Sequence, residues 1–283
     1  MSDLFPPFIP DPEEPRRRRF RPIPLRLLVP NVITLLALCL GLTAIRMAIE
    51  SRLDIAVFAI LLAAVLDAAD GRVARMLKGT SRFGAELDSL SDFVNFGVAP
   101  ALLLYTFILD EMKSLGWIAA MVYAIAAALR LARFNVMLDD PERPDWQKNY
   151  FVGMAAPAGA LTVLLPIYLH FIVWPVSEVA APVVAIYTVF IGLLMVSRIP
   201  TFSGKTLGQR VARDMVLPLF VLVVLVAALL VSFTFHVLAI ITLVYLVSLP
   251  FGVIRYRALD RAHSEQVAAT AGVPEEKAEL GDQ

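Results

Sequence analysis

The sequence predicts an all-α fold: a polytopic integral membrane helical bundle of about eight transmembrane helices. Three observations carry this. The chain is 59% hydrophobic, with a mean hydropathy of +0.74 over 283 residues. Charged residues make up only 18%, against roughly 25% in soluble domains. Several stretches reach the roughly 20 apolar residues that a bilayer crossing needs. Finally, 22 of the 25 Lys and Arg residues fall on one side of the spans that hydropathy draws, which is the bias expected of cytosolic loops.

Taken in order, the spans fall at residues 28–48, 54–77, 86–109, 115–136, 152–173, 180–198, 214–232 and 235–255. Pro157, Pro166, Pro175 and Pro182 interrupt the fifth and sixth. A membrane helix tolerates proline when its neighbours satisfy the freed carbonyl. Residues 22–257 form one membrane domain, between tails 1–21 and 258–283 that read as disordered and cytosolic. The opening "MSDLFPPFIPDPEEPRRRRFRPIP" has no short apolar core before a small-residue cleavage site, so it does not read as a signal peptide.

The basic residues orient the bundle. The N-tail (Arg16 to Arg19, Arg21, Arg26) and the second–third loop (Arg72, Arg75, Lys78, Arg82) share one side. They are joined by Arg130, Arg133, Arg143 and Lys148, by Arg198, Lys205, Arg210 and Arg213, and by the basic residues of the C-tail. Arg46, Arg52 and Lys113 stand opposite. Both termini therefore read as cytosolic, in a multi-pass protein of the cell inner (cytoplasmic) membrane. Arg16 to Arg19 suit anionic headgroups at about 1 kcal/mol each, and equally serve as a plain topology signal.

Other features exclude function classes. Formal net charge is zero, so no global field points to nucleic acid. Cys39 is the one cysteine, which excludes a disulfide framework and a multi-cysteine metal site; it reads as a small buried apolar residue. His170, His236 and His263 lie far apart without metal-ligand spacing. The Phe, Tyr and Trp residues are scattered and read as lipid-facing or interfacial.

One stretch stands out against the apolar background: "LDAADGRVARMLKGTSRFGAELDSLSD", Leu66 to Asp92. Acids at a membrane edge are expensive. At about 100° per residue, Asp67, Asp70, Gly71 and Ala74 share one helix face. Gly84, Asp88 and Asp92 step by four and share a face of the next helix, with Glu86 off it. The short connection makes the two helices antiparallel neighbours, so four carboxylates can converge. They would repel strongly unless a cation sat among them. All-carboxylate ligands select hard cations, Mg²⁺ or Mn²⁺ over Zn²⁺. Four suffice for two ions, an arrangement suited to in-line displacement at phosphorus. Gly71, Ala74 and Gly84 leave side-chain-free surface for a phosphorylated ligand, and Arg75 offers a cation to its phosphate. The plain alternative is a solvated loop in which these acids pair with Arg72, Arg75, Lys78 and Arg82.

The spacing Asp-x2-Asp-Gly-x2-Ala-Arg-x8-Gly-x3-Asp-x3-Asp is filled by Asp67, Asp70, Gly71, Ala74, Arg75, Gly84, Asp88 and Asp92. It resembles, position for position, the signature of the CDP-alcohol phosphatidyltransferase family. Four further stretches look like the membrane-embedded phosphatidylserine synthases of bacteria within that family: "LVPNVITLLALCLG", "ALRLARFNV", "FVGMAAPAGA" and "SRIPTFSGK". The third departs from a Gly-Leu-Pro-x-Pro pattern by lacking its first proline.

The resemblance implies transfer of the phosphatidyl group of CDP-diacylglycerol to L-serine, releasing CMP. It implies two divalent cations (Mg²⁺ or Mn²⁺), held by Asp67, Asp70, Asp88 and Asp92, with Asp92 as the base, and a homodimer surrounded by membrane lipid. Asn31, Thr34, Gly71, Ala74, Arg75, Ser81 and Gly84 would lie along the CDP-lipid. Arg130, Arg133 and Asn135 close the cytosolic end of the fourth span and would receive the acceptor, with Arg130 and Arg133 as a fork for a carboxylate. Snorkelling anchors are the alternative for those arginines. Two rival functions stand beside this one. A sister enzyme would use glycerol 3-phosphate, an inositol compound or choline. A cation-coupled transporter would place charge near the midplane and show inverted repeats; the acids here cluster at one edge, and no repeat is visible.

Overall fold

The computed structural model describes residues 25–77, 81–138, 150–173, 177–197, 200–202 and 213–250. The terminal tails lie outside these residues, as do Lys78, Pro175, Arg198 and Lys205. Ten α-helices are assigned here: α1 (Leu25–Ile49), α2 (Leu53–Met76), α3 (Arg82–Asp92), α4 (Ala99–Phe107), α5 (Ser114–Leu138), α6 (Ala156–Val163), α7 (Leu165–Ile172), α8 (Ala181–Val196), α9 (Arg213–Ser232) and α10 (Thr234–Pro250). A π-helical turn, Phe93–Val98, joins α3 to α4, so Arg82–Phe107 is one continuous rod.

Among the described residues, Leu28–Ile49, Arg82–Phe107, Ser114–Met137 and Met215–Ser232 are long and apolar enough to cross a membrane. Helix α2 has the length, at 24 residues, but carries Asp54, Asp67, Asp70, Arg72 and Arg75. The shorter apolar segments are Ala156–Ile172, Ala181–Val196 and Thr234–Pro250. Within the described residues every predicted span contains helix, and the chain is a multi-pass membrane protein.

The prolines act as helix starters more than as interruptions. Pro157, Pro166 and Pro182 stand in the first turns of α6, α7 and α8, where the missing N–H has no partner to lose. The fifth span begins later than predicted. Tyr150–Val152 is extended and pairs antiparallel with Pro200–Phe202, Phe151 opposite Thr201. Among the described residues, this two-stranded ribbon is the β-structure that the all-α reading misses. Gly153 follows it at φ +80, where a Cβ would meet the Met195 carbonyl oxygen at 2.5 Å.

The packing is closest between α1 and α2 and between α5 and α8. Buried positions on α1 (Thr34, Ala37, Gly41, Ala44, Met47, Ala48) recur at helical spacing. Cys39 falls off that stripe and is exposed, which corrects its reading as a buried residue. The aromatic reading also needs correction. Phe96, Tyr123 and Tyr168 are fully buried, the largest side chains of the core. Each buried phenol finds an acceptor, as a buried hydroxyl must: Tyr123 donates to the Phe96 carbonyl at 2.9 Å and Tyr168 to that of Leu161 at 2.9 Å.

Candidate functional site

Helices α1 and α3 run parallel, with α2 antiparallel between them in sequence. Their contacts fix one end of the bundle. Asn31 meets Gly84, Thr34 meets Asp70 and Ser91, and Gly41 meets Asn95. The same end receives the C-terminal turn of α5, where the Asn135 side-chain amide donates to Ser89 Oγ at 2.9 Å.

Helix α2 brings Asp67 and Asp70 to this end, and α3 brings Asp88. Each offers a carboxylate oxygen, and the three oxygens lie within 4.8 Å of one another. Asp70 is 4% exposed, the others half-buried. Asp92 stands one turn deeper and outside this trio. Its carboxyl is within hydrogen-bonding reach of Asp67. Two carboxyls so placed stay together only with a shared proton or a nearby cation. The guanidinium of Arg130, 9% exposed, faces Asp92 and Asp67. No ion pair joins these four acids to Arg72, Arg75 or Arg82, all of which are exposed. Arg72, Arg75 and Arg82 therefore do not form the solvated-loop alternative, and its fourth partner, Lys78, lies outside the described residues. Glu86 is exposed, off the shared face as its spacing predicts.

The donor set fits a hard divalent cation: three clustered carboxylates, no cysteine or histidine among them, one buried almost completely. A buried acid with no cationic partner in contact is costly, and Asp70 is relieved by the Thr34 hydroxyl, which donates to Oδ2 at 2.7 Å, and by the Gly71 backbone N–H.

The remaining predicted residues divide. Beyond its chain neighbours and its own helix backbone, nothing lies within 4 Å of where a Gly71 Cβ would be, so the surface beside Asp70 is open. Ala74 is half-buried and Arg75 exposed on the same helix. At Gly84 the space is filled instead: a Cβ would stand 2.8 Å from Asn31 Oδ1. Glycine there lets α1 approach α3, more than it clears ground for a ligand. Ser81 caps α3, its hydroxyl accepting from the Gly84 N–H at 3.0 Å. Arg130 and Arg133 do not form one fork. Arg130 stacks over Phe134, 5.2 Å from the ring centroid, with its charge toward the acids. Arg133 donates through Nη1 to the Val196 carbonyl at 2.6 Å, at the C-terminus of α8, where a cation is favoured.

Sequence reasoning missed Ser91, Asn95 and Tyr123, which interlock beneath the acids. Ser91 and Asn95 do stand four apart, a spacing that puts them on one helix face. Their long-range links escape any local pattern: Ser91 reaches Thr34, 57 residues away, and Tyr123 reaches Phe96, 27 residues away.

Comparison with known proteins places this geometry. The family model for CDP-alcohol phosphatidyltransferase matches residues 27–196, and that for CDP-alcohol phosphatidyltransferase 2 matches residues 214–250. Among curated relatives, a Mycobacterium leprae protein is 40% identical over 253 residues, covering 88% of this chain and 82% of its own length. A Helicobacter pylori protein is 32% identical over 233 residues, 81% of this chain and 91% of its own. A Bacillus subtilis protein is 34% identical over 171 residues, 60% and 88%. All three are named CDP-diacylglycerol–serine O-phosphatidyltransferase. With the family model matching more than half its length and three of the four signature aspartates folded into one cluster, the chain belongs to the CDP-alcohol phosphatidyltransferase family.

Proposed function

We propose that this protein transfers the phosphatidyl group of CDP-diacylglycerol to the hydroxyl of L-serine, giving phosphatidylserine and CMP. The observation that carries the reading is the meeting of Asp67, Asp70 and Asp88 within 4.8 Å at one end of the bundle, with Asp92 beside them. The relatives named for the serine reaction support the choice of acceptor.

Asp67, Asp70 and Asp88 would hold the divalent cations, Mg²⁺ or Mn²⁺, with Asp92 completing the second site. When bound, these ions neutralise the diphosphate and the charge that develops on it. Phosphoryl transfer otherwise asks the protein for positioning. The open surface at Gly71 and Ala74 receives the diphosphate, with Arg75 beside it. Acyl chains stay in lipid. The serine oxygen attacks the phosphorus bearing the diacylglycerol. A new P–O bond forms, the bond to the CMP oxygen breaks, and CMP leaves with that electron pair. The hydroxyl proton passes to the Asp92 carboxylate. Arg130 lies where a serine carboxylate would meet a cation, and Asn135 borders the same end; Arg133, engaged with Val196, serves to anchor α8. The Lys and Arg bias of the loops supports an active site and termini on the cytosolic side of the cytoplasmic membrane, where CDP-lipid and a soluble acceptor meet.

Purified protein given CDP-diacylglycerol and Mn²⁺ or Mg²⁺ is expected to release CMP when L-serine is added. Glycerol 3-phosphate, an inositol compound and choline complete the acceptor panel. Release with one of those and not with serine reassigns the acceptor. Release with none overturns phosphatidyl transfer. Asp92→Asn should retain CDP-lipid binding and lose turnover; normal turnover removes Asp92 as the base.

A further inference from the structure

The clustered carboxylates come from two helices, α2 and α3, and α1 carries none of them. Yet α1 touches both where the acids stand. The Thr34 hydroxyl has one proton and two acceptors in reach, Asp70 Oδ2 at 2.7 Å and the Pro30 carbonyl at 3.1 Å. The shorter contact goes to the acid. From the other side, Ser91 Oγ of α3 donates to the Thr34 carbonyl at 3.3 Å. Ser91 Oγ itself accepts from Asn95 Nδ2 at 3.1 Å. That donation fixes the direction of the chain: the Ser91 proton is left to point at α1. Thr34, Ser91 and Asn95 are 5%, 2% and 0% exposed, so water does not compete.

We propose that Ser91 and Asn95 are positioning residues, tying α3 through Thr34 of α1 to Asp70 of α2 and so setting the separation of the carboxylates on the two helices. The inference rests on reading those carboxylates as a cation site. It extends that reading to Ser91 and Asn95, which stand outside the carboxylate trio.

Two further observations favour a built device over incidental packing. Asn95 is fully buried, and its Oδ1 has no hydrogen-bond partner; it lies directly against Gly41 of α1. A half-satisfied buried amide is costly, and leucine would fill that place without the cost. The backbone carrying Asn95 is also special. The π turn begins at the residue after Asp92, and its wide geometry is recorded by the Ala99 N–H reaching back five residues to Val94. Such single turns concentrate at functional sites. Here the turn buries three consecutive residues, Asn95, Phe96 and Gly97, more than one narrow α-helical stripe presents. Tyr123 of α5 braces it through the Phe96 carbonyl. The chain runs from a braced turn, through Ser91 and Thr34, to the most buried acid.

The test uses purified full-length protein in detergent and reads Mn²⁺ binding without substrate, from the electron paramagnetic resonance signal of the free ion. Removing an outer-shell partner weakens metal binding by roughly 10–100-fold, so Ser91→Ala and Asn95→Leu are expected to weaken it by about tenfold. The Mn²⁺ concentration for half-maximal CMP release should rise by the same factor, while the serine KM stays put. Ser91→Thr and Thr34→Ser keep a hydroxyl and should restore binding, whereas Thr34→Val should not. Thr188→Val, which removes a buried hydroxyl donating to Val184 within α8, controls for general loss of packing and should bind Mn²⁺ normally. Wild-type affinity in Ser91→Ala overturns the inference, as does equal loss in Thr188→Val. Absence of Mn²⁺ binding by the wild-type protein instead overturns the cation reading beneath it.

Discussion

The acid-bearing end of α1, α2 and α3 and the helix α9 are opposite solutions to life in a bilayer. In the first, a carboxylate is 4% exposed, hydroxyls and an amide are buried, and the Thr34 and Ser91 hydroxyls each reach another helix. In the second, none of the described side chains of Met215–Ser232 is buried, and the mean hydropathy of the stretch is 3.0. Lipid tails are as apolar as leucine, so a wholly apolar helix gains little by hiding from them. A polar group in the same medium has to find a partner. Polarity therefore decides which helices must lock together, and hydropathy alone decides which need only span.

The largest test of this contrast removes one acid. Asp88→Ala leaves Asp67 and Asp70 without the carboxylate that α3 supplies to the trio. Loss of about 4 kcal/mol of charge stabilisation corresponds to a fall in CMP release of about 10³-fold. The same loss should follow chelation of the wild-type enzyme by EDTA, and Mn²⁺ should restore the wild type but not the variant. Substantial activity in Asp88→Ala would separate the acids from the chemistry.

Next comes the seam that holds the acids in register. A Cβ at Gly41 would run into Asn95 Oδ1 and stand 3.2 Å from the Asn95 Cα, which is backbone and cannot swing away. Gly41→Ala should cost about 1–3 kcal/mol by overpacking, seen as a lower melting temperature and weaker Mn²⁺ binding together. Tyr123→Phe is milder. It strips the Phe96 carbonyl of its phenol donor inside the core, at about 1–2 kcal/mol. Thermal melting followed by tryptophan fluorescence or circular dichroism reads both, and an unchanged melting temperature in Gly41→Ala would mean that the seam yields freely.

The same contrast explains what could be read from the sequence. The spans were legible because lipid selects apolar residues one by one. Asp67, Asp70, Asp88 and Asp92 were legible because acids are rare there and helical spacing places them on inward faces. What escaped depends on residues far apart in the chain. Cys39 sits two residues beyond the buried Ala37, and only the packing of α1 on α2 and α3 says that it faces outward. Gly84 is small because Asn31 approaches it from 53 positions away. Arg130 and Arg133 share a helical spacing yet diverge, because Val196 of α8 captures one and the acids face the other. The ribbon pairs Tyr150–Val152 with Pro200–Phe202, across three intervening helices, and neither triplet has a strand-like neighbourhood.

Helix α9 supplies the smallest expected effect and the sharpest control. Leu222 is 54% exposed and Leu219 46%. In either the folded protein or a helix inserted alone, these side chains meet the same apolar solvent. Truncating one removes the same contacts from both states, so the difference nearly cancels. Leu222→Ala should shift stability by no more than about 0.5 kcal/mol, with Mn²⁺ binding and CMP release at wild-type levels. A polar replacement breaks the symmetry of that comparison. Leu222→Asn gives α9 a group that needs a partner, and with lipid on that face it has none to meet except a second α9. Expression in membranes should then fall, or the variant should migrate as a larger species on size exclusion. If Leu222→Ala were as damaging as Gly41→Ala, α9 would be packed against protein, and apolarity would not be a sufficient guide to which helices stand apart.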